Sequence, residues 1–312
     1  MKIITGNDFE INSRGSVVTV GGFDGIHLGH QALIEEVIKC ASHRNYNAVL
    51  LTFETHPRIA LGQEREPFLL TPISEKIEIL KTFPLDFVIF LEPTVELLNT
   101  DREEFVKEFL INKLHTKRLV LGFNHHFGKN REGSPVYLAE TLKDWNFVLT
   151  VFPPVFVNGE IVSSSKIREF LRVGNIKMAN KMLGRPYSVT GEVVEGKKIG
   201  RKLGVKTANL KVHPFKLLPA NGVYVVEVSF RGDMLKGVAS VGVRPTVDGK
   251  KVVTEVHIFD FDEEIYGEQL KVHFLEYLRE EKKFSSLEEL KSAIMDDIKR
   301  AKEYFSGAIS GV

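Results

Sequence analysis

The sequence predicts an α/β domain followed by an antiparallel β-barrel that ends in a C-terminal helix. Three observations carry this. Up to residue 184, short apolar β-branched runs alternate with stretches of helical spacing, the pattern of a mostly parallel sheet covered on both faces. From Ser188, runs with period-two alternation follow one another with no helical stretch between them, which fits an antiparallel barrel. A chain of 312 residues also exceeds the ~250–300 at which one core usually stops growing. Gly184–Arg185–Pro186–Tyr187 breaks the pattern, so the expected domains are 1–184 and 185–312.

Val17–Val18–Thr19–Val20 opens the first half as a buried strand, and Gly21 and Gly22 end it. Phe23, Asp24, Gly25, His27, Gly29 and His30 follow, and then Ala32, Leu33, Val37 and Ile38 at helical spacing. A helix is expected to start near Gly29 or His30. A strand, a glycine turn and a helix N-terminus together make an anion site, because free backbone N–H groups and the positive end of the macrodipole point the same way. Two imidazoles there can donate to a triphosphate, and Gly29 lets a phosphate approach the backbone. A βα turn with two surface histidines is the plainer reading, and the full G-F-D-G-x-H-x-G-H pattern favours the phosphate site.

Ala48–Phe53 reads as the next strand. His56, just beyond it, either faces a nucleotide crevice or is a turn histidine before Pro57. Ser74–Leu80 is helical, Phe87–Leu91 a strand, and Arg102–Leu114 an amphipathic helix with Phe105, Phe109, Leu110 and Leu114 inward. Arg118–Leu121 is a fourth strand. It runs into the polar, glycine-punctuated segment Gly122–Gly133, where Asn124 offers an amide and Lys129 and Arg131 offer cations. Phe123 and Phe127 could stack on a planar ring, with core anchoring expected of at least one. His125 and His126 lack the cysteine or carboxylate spacing of a tetrahedral metal site. Phe147–Phe152 is a fifth strand. Ser163–Ser164–Ser165 then cap a helix, and with Lys166 and Arg168 they form a second anion clamp. Arg168 lies one turn from Ser164, so both can reach one ligand.

Asn175–Leu183 closes the first half as a short helix. The barrel strands are Ser188–Glu195, Gly222–Phe230, Met234–Val243, Val252–Phe259 and Gln269–Leu278. Leu287, Leu290, Ile294, Ile298 and Ala301 form one stripe of a helix over Ser285–Tyr304 that packs on the barrel, and 306–312 reads as frayed. The basic stretch Gly196–Leu210 carries Gly200, Arg201 and Gly204, then Thr207 and Asn209, whose oxygens suit Mg²⁺. A phosphate cradle and a basic hairpin are equally open there. On Val252–Phe259, alternation puts Glu255 opposite in face to Thr254, Val256 and Ile258. It is either a solvated carboxylate or a general base at a ligand mouth.

Lys+Arg 42 against Asp+Glu 41 gives no charge argument for nucleic acid or an anionic membrane. One cysteine, Cys40, excludes an internal disulfide and a multi-cysteine metal cluster, and it reads as a buried inert thiol. The N-terminus lacks a signal-type apolar segment, and no apolar stretch approaches the ~20 residues that span a bilayer. A cytoplasmic location is expected.

The early G-F-D-G-x-H-x-G-H and late S-S-S-K-I-R motifs resemble the adenylyltransferase module of the bacterial bifunctional riboflavin kinase/FAD synthetase family. Gly122–Gly133 is similar to that family's third motif, with His125–His126 in place of the commoner aromatic-plus-basic pair. In the second half, Gly200–Gly204, Thr207–Ala208–Asn209, Asn221–Tyr224, Gly242–Thr246, Glu255, Tyr266–Gly267 and Leu278–Arg279 resemble the riboflavin kinase module, with Lys206 where the family has proline.

The resemblance implies a Rossmann-like nucleotidyltransferase domain, a riboflavin kinase barrel, ATP as co-substrate, Mg²⁺, and riboflavin, FMN and FAD as substrates and products. It makes His27, His30, Asn124, Ser164, Arg168 and Glu255 catalytic. Gly22, Phe23, Asp24, Gly29, Ser165, Gly200, Arg201, Gly204, Thr207 and Asn209 would bind nucleotide, Thr207 and Asn209 with the metal. Phe123, Phe127, Gly222 and Arg279 would contact flavin. A monomer or weak homo-oligomer is expected. Two alternatives stand beside this reading: a nucleotidyltransferase for another small phosphate with a non-catalytic barrel, and a flavin-binding regulator without turnover.

Overall fold

The computed structural model describes residues 1–129, 132–141, 145–196, 204–246 and 249–307, with side chains for all of these except 243–246 and 249–252. Gly200, Arg201 and Arg131, named above, lie outside the described residues. The chain divides into two compact units, Met1–Ser164 and Ser165–Val312.

The first unit is built on a six-stranded sheet: β1 (Lys2–Thr5), β2 (Ser16–Val20), β3 (Asn47–Phe53), β4 (Phe87–Leu91), β5 (Thr116–Gly122) and β6 (Val148–Phe152). Their order is β1-β4-β3-β2-β5-β6, and every neighbouring pair is parallel. Parallel strands need crossovers. These carry α1 (Leu28–Arg44), α2 (Pro57–Ala60), α3 (Ile73–Leu80), α4 (Val95–Leu98), α5 (Arg102–Phe105) and α6 (Pro135–Thr141). Successive strand residues feed two separate cores. Val18, Val20, Val49 and Leu51 pack with Phe105 and Leu110 on one face, and Val17, Leu50 and Val88 pack with Leu33, Ile34 and Val37 of α1 on the other. The sheet is thus covered on both sides, which is why its strands read as unbroken apolar runs.

From β2 the chain builds outward through β3 and β4, then returns to β5 on the other side of β2. The carboxyl ends of β2 and β5 therefore flank the switch point where such sheets hold ligands. The helix expected over 102–114 is α5 followed by a π-helical stretch, Val106–Lys113. Its wide turn, with Leu114 N–H donating to Phe109 C=O at 3.1 Å, buries Leu110 and leaves Phe109 only partly covered. A small hairpin, β7 (Phe156–Val157) and β8 (Glu160–Ile161), follows β6.

The boundary falls after the first residue of α7 (Ser164–Arg172), and the second unit takes the rest of α7 and then α8 (Ile176–Leu183). Then come β9 (Tyr187–Val194), β10 (Ala208–Val212), β11 (Gly222–Phe230), β12 (Asp233–Thr246), β13 (Gly249–Ile258) and β14 (Gln269–Arg279). They close into a barrel in the order β10-β13-β12-β11-β14-β9, each pairing antiparallel. Helix α9 (Leu287–Phe305) lays Ile298 and Ala301 against Val225 and Val238. The division at Ser164 falls earlier than the expected 184. The intervening helices are bonded to the barrel: Ala220 N–H donates to Leu171 C=O at 2.8 Å, and the Asn180 amide bridges Phe274 C=O and Tyr187 N–H at 2.8 and 2.7 Å.

Candidate active sites

At the end of β2 the backbone leaves the sheet through residues that L side chains rarely allow: Phe23 at φ 46° and Ile26 at φ 38°, either side of Gly25 at 88°. Buried groups hold this turn. The Asp24 carboxylate accepts from Leu70 N–H at 3.0 Å and from Thr71 N–H at 2.9 Å and hydroxyl at 3.3 Å. Gly25 N–H donates back to the Thr71 hydroxyl at 2.8 Å. Lys76 donates to Gly22 C=O at 2.8 Å. Burial pushes the Lys76 amine down to about 8, against the pull of Asp24. Asp24, expected to contact nucleotide, thus has its carboxylate engaged by the 70–71 backbone.

His27 caps α1: its Nδ1 accepts from His30 N–H at 3.3 Å. A nitrogen that accepts carries no proton, so in the neutral ring the proton sits on Nε2. The two imidazoles stack with centroids 3.6 Å apart, and Phe23 lies 5.0 Å from His30. Gly29 eases this, since a Cβ there would stand 3.3 Å from the His27 ring and press it aside by a few tenths of an ångström. Its glycine serves the histidine as well as any incoming phosphate. At Gly22 a Cβ would meet nothing within 4 Å, so that position faces open space. Helix α1 begins at Leu28 with no acidic residue in its first turn.

Two other segments belong to the same unit's site. Ser164 donates its hydroxyl to Asp24 C=O at 2.7 Å, which ties the late serine motif to the early glycine turn. Asn124 and Phe123 are exposed just past β5, across the switch point from β2. Phe127 is not available to stack on a ligand. It is buried, packs 5.6 Å from Phe105, and leaves no room for a side chain at Gly133, where a Cβ would come within 2.6 Å of its ring. His56 is a turn residue, its Nδ1 accepting from Arg58 N–H at 3.2 Å. Ser165 is exposed and Arg168 is buried on α7.

In the barrel, Asn209 of β10 and Glu255 of β13 are direct register partners, so their side chains share a face. Asn209 is buried with its amide over Gly196, where a Cβ would fall 2.1 Å from Nδ2. The alternate residues Ala208, Val256 and Ile258 line a pocket with Val193, Phe261, Tyr266, Glu263 and Glu264. Thr207 stands on its rim, at the start of β10. The pocket and the Asn209–Glu255 pair therefore occupy opposite faces of one ladder, with Thr207 at its end. Lys206 is fixed from both sides. His257 Nδ1 bonds its carbonyl at 2.8 Å, and its ammonium pairs with Asp262.

Gly222 and Arg279 have packing roles here. A Cβ at Gly222 would meet the Tyr277 ring at 2.5 Å and Arg279 C=O at 2.6 Å. The Arg279 guanidinium grips Asp297 of α9 through two bonds, 2.8 and 2.7 Å. Gly204 sits at φ 81° with open space around it. Sequence reasoning missed Thr71, Lys76, Asp297 and the Phe261 side of the pocket, and it read Gly196 only as part of a basic loop. Among the described residues no group of three or more His, Cys, Asp or Glu could hold a metal ion. No helix there is long and apolar enough to cross a membrane.

Residues 9–166 match the FAD synthetase family, and residues 183–305 match the riboflavin kinase family. The chain is similar along nearly its whole length to curated proteins described as bifunctional riboflavin kinase/FMN adenylyltransferase. That of Buchnera aphidicola subsp. Schizaphis graminum is 36% identical over 98% of this chain and 99% of its own. That of Haemophilus influenzae is 34% identical over 94% and 95%, and that of Escherichia coli K12 is 33% identical over 98% of each. A crystal structure from Streptococcus pneumoniae, named as a macrolide-efflux protein, superposes with a TM-score of 0.85 at 33% identity, covering 96% of this chain and 99% of that one.

Proposed function

The chain belongs to the bifunctional riboflavin kinase/FMN adenylyltransferase family, and we infer from this membership that it converts riboflavin to FMN and FMN to FAD, with ATP as co-substrate in both steps.

In the barrel, Glu255 takes the proton of the ribityl 5′-hydroxyl as that oxygen attacks the γ-phosphate of ATP, giving FMN and ADP. Support comes from its register pairing with Asn209 and from Thr207 at the end of the same strand. The pocket beside Thr207 takes the adenine, and the phosphates leave past its rim. The Thr207 hydroxyl and the Asn209 carbonyl are neutral hard oxygens, a donor set that suits a Mg²⁺ ion shared with phosphates. When bound, that ion spreads the negative charge of the transferring phosphoryl group. By the resemblance Gly200, Arg201 and Gly204 cradle the phosphates.

In the first unit the FMN phosphate attacks the α-phosphate of ATP, and pyrophosphate leaves. The nucleophile is already an anion, so the site's work is positioning and charge stabilisation. His27 with its proton on Nε2, His30 and the N–H groups opening α1 supply donors at one helix terminus. Asn124 and Phe123 approach from the far side of the switch point, Phe123 offering a ring to the flavin. By the resemblance Ser164, Ser165 and Arg168 take part in adenylyl transfer.

The reading extends to a monomer or weak homo-oligomer in the cytoplasm, where ATP is supplied. The carrying observation is that one chain carries both matches, residues 9–166 and residues 183–305. Chromatography of flavins after incubation with riboflavin, ATP and Mg²⁺ tests it. FMN followed by FAD is expected, and riboflavin alone would overturn it.

A further inference from the structure

We propose that Thr71 and Lys76 are positioning residues for adenylyl transfer, holding the Gly21–His27 turn in the shape that receives the ATP phosphates. The proposal rests on assigning that reaction to the first unit.

The turn has an uncommon geometry for its sequence. Phe23 and Ile26 both take positive φ, where a side chain crowds its own carbonyl, and each is large and fully covered. Such backbone persists only where its surroundings over-determine it. Here residues 70–76, far away in sequence, hold Gly22, Asp24 and Gly25, beside the Thr52 hydroxyl on Gly22 C=O at 3.2 Å and the Gln31 amide on Ile26 C=O at 2.8 Å. The Thr71 hydroxyl works in both directions: it accepts from Gly25 N–H at 2.8 Å and donates to Asp24 at 3.3 Å. It thereby orients a peptide that points neither into a helix nor into a strand. Lys76, on the first turn of α3, reaches Gly22 C=O at 2.8 Å and Phe53 C=O at 3.5 Å. These carbonyls follow β2 and end β3, so the ammonium staples the two strand ends that border the crevice. Turning the Gly22 carbonyl toward Lys76 fixes the Phe23 N–H, which lies in the same planar peptide, on the opposite side.

The choice of residue matters. An apolar side chain of similar volume would fill the Lys76 site without the cost of burying a cation. The cation gives Gly22 C=O its shorter bond, 2.8 Å against 3.2 Å from the Thr52 hydroxyl. Asp24 lies between the two clamps and passes the order on, because its own carbonyl accepts the Ser164 hydroxyl at 2.7 Å. Thr71 and Lys76 thus act through Gly22, Asp24 and Gly25 and need not touch the nucleotide.

The test uses the full chain with Thr71→Val, Thr71→Ser and Lys76→Met. FMN adenylylation is measured over a range of ATP concentrations, and riboflavin phosphorylation in the same samples serves as the internal reference. Trp145, the single tryptophan, lies in the first unit, so its fluorescence reports that unit's folded fraction. Misplaced donors weaken phosphate binding, so Thr71→Val and Lys76→Met should raise KM for ATP by roughly tenfold or more. Thr71→Ser restores the hydroxyl and should return KM to near the parent value, with riboflavin phosphorylation unchanged throughout. A purely structural role leaves KM unaltered and lowers the rate only in proportion to the folded fraction; that result, or failure of both Thr71→Val and Lys76→Met to fold, overturns the proposal. If the parent chain itself forms no FAD from FMN, the assignment of the reaction fails, and the proposal with it.

Discussion

Asn209 and Glu255 face each other across the β10–β13 ladder, and the Asn209 amide is set by Gly196, whose missing side chain is the space it fills. A single methyl at residue 196 would lie 2.1 Å from Asn209 Nδ2 and must displace it. Gly196→Ala should therefore cut riboflavin phosphorylation by roughly a hundredfold, as ångström-scale misplacement does. FMN adenylylation should continue at the parent rate, which assays of the two steps on one preparation will show.

The His27 tautomer makes its own prediction. With Nδ1 occupied by His30 N–H, the useful donor is Nε2. Glutamine can place an amide N–H near that position, and alanine leaves none. His27→Ala should lower kcat for adenylylation by ~10²–10³, the usual loss for one charge-stabilising donor. His27→Gln should retain clearly more. Equal losses would contradict the assigned proton.

The two phenylalanines of the 122–133 loop should separate cleanly. Phe127 is core, so Phe127→Ala should destabilise the first unit by about 3–5 kcal/mol, read from denaturant unfolding by Trp145 fluorescence. Phe123 is exposed, so Phe123→Ala should leave unfolding unchanged and raise KM for FMN.

Lys76 gives a pH signature. Its amine titrates near 8 in the folded protein and near 10.5 when unfolded. Between those values the unfolded chain binds the extra proton, so stability rises as pH rises. Below about 8 both states are protonated and the burial penalty stands in full. Relative to Lys76→Met, the parent first unit should gain ~2–3 kcal/mol between pH 7 and pH 10, since a tenfold change in proton affinity is worth about 1.4 kcal/mol. A pH-independent difference would show that Lys76 is not buried as a cation.

Strongly patterned elements were legible. Phe87–Leu91 and Gly222–Phe230 are read from sequence to the residue, because both are long apolar or alternating runs with sharp ends. Strand β10 was hidden, since the residues that carry its chemistry, Asn209 above all, are poor strand formers, and Lys211 breaks the apolar signal. Strand β1 is short and sits at the sheet edge, half exposed. The motifs that supply the site were visible as residue types. Their supports were not, because Asp24–Thr71 and Arg279–Asp297 join distant segments, and no spacing rule connects them. Phe123 and Phe127 look alike in sequence, and only the space at Gly133 tells them apart.

The central claim is two chemistries in two separate places on one chain. The most direct measurement is flavin chromatography on His27→Ala, on Glu255→Gln, and on a mixture of the two, each supplied with riboflavin, ATP and Mg²⁺. The account predicts FMN alone from the first, unchanged riboflavin from the second, and FAD from the mixture, as FMN released by one variant is adenylylated by the other. Loss of both steps in either folded variant, or a mixture that makes no FAD, would contradict it.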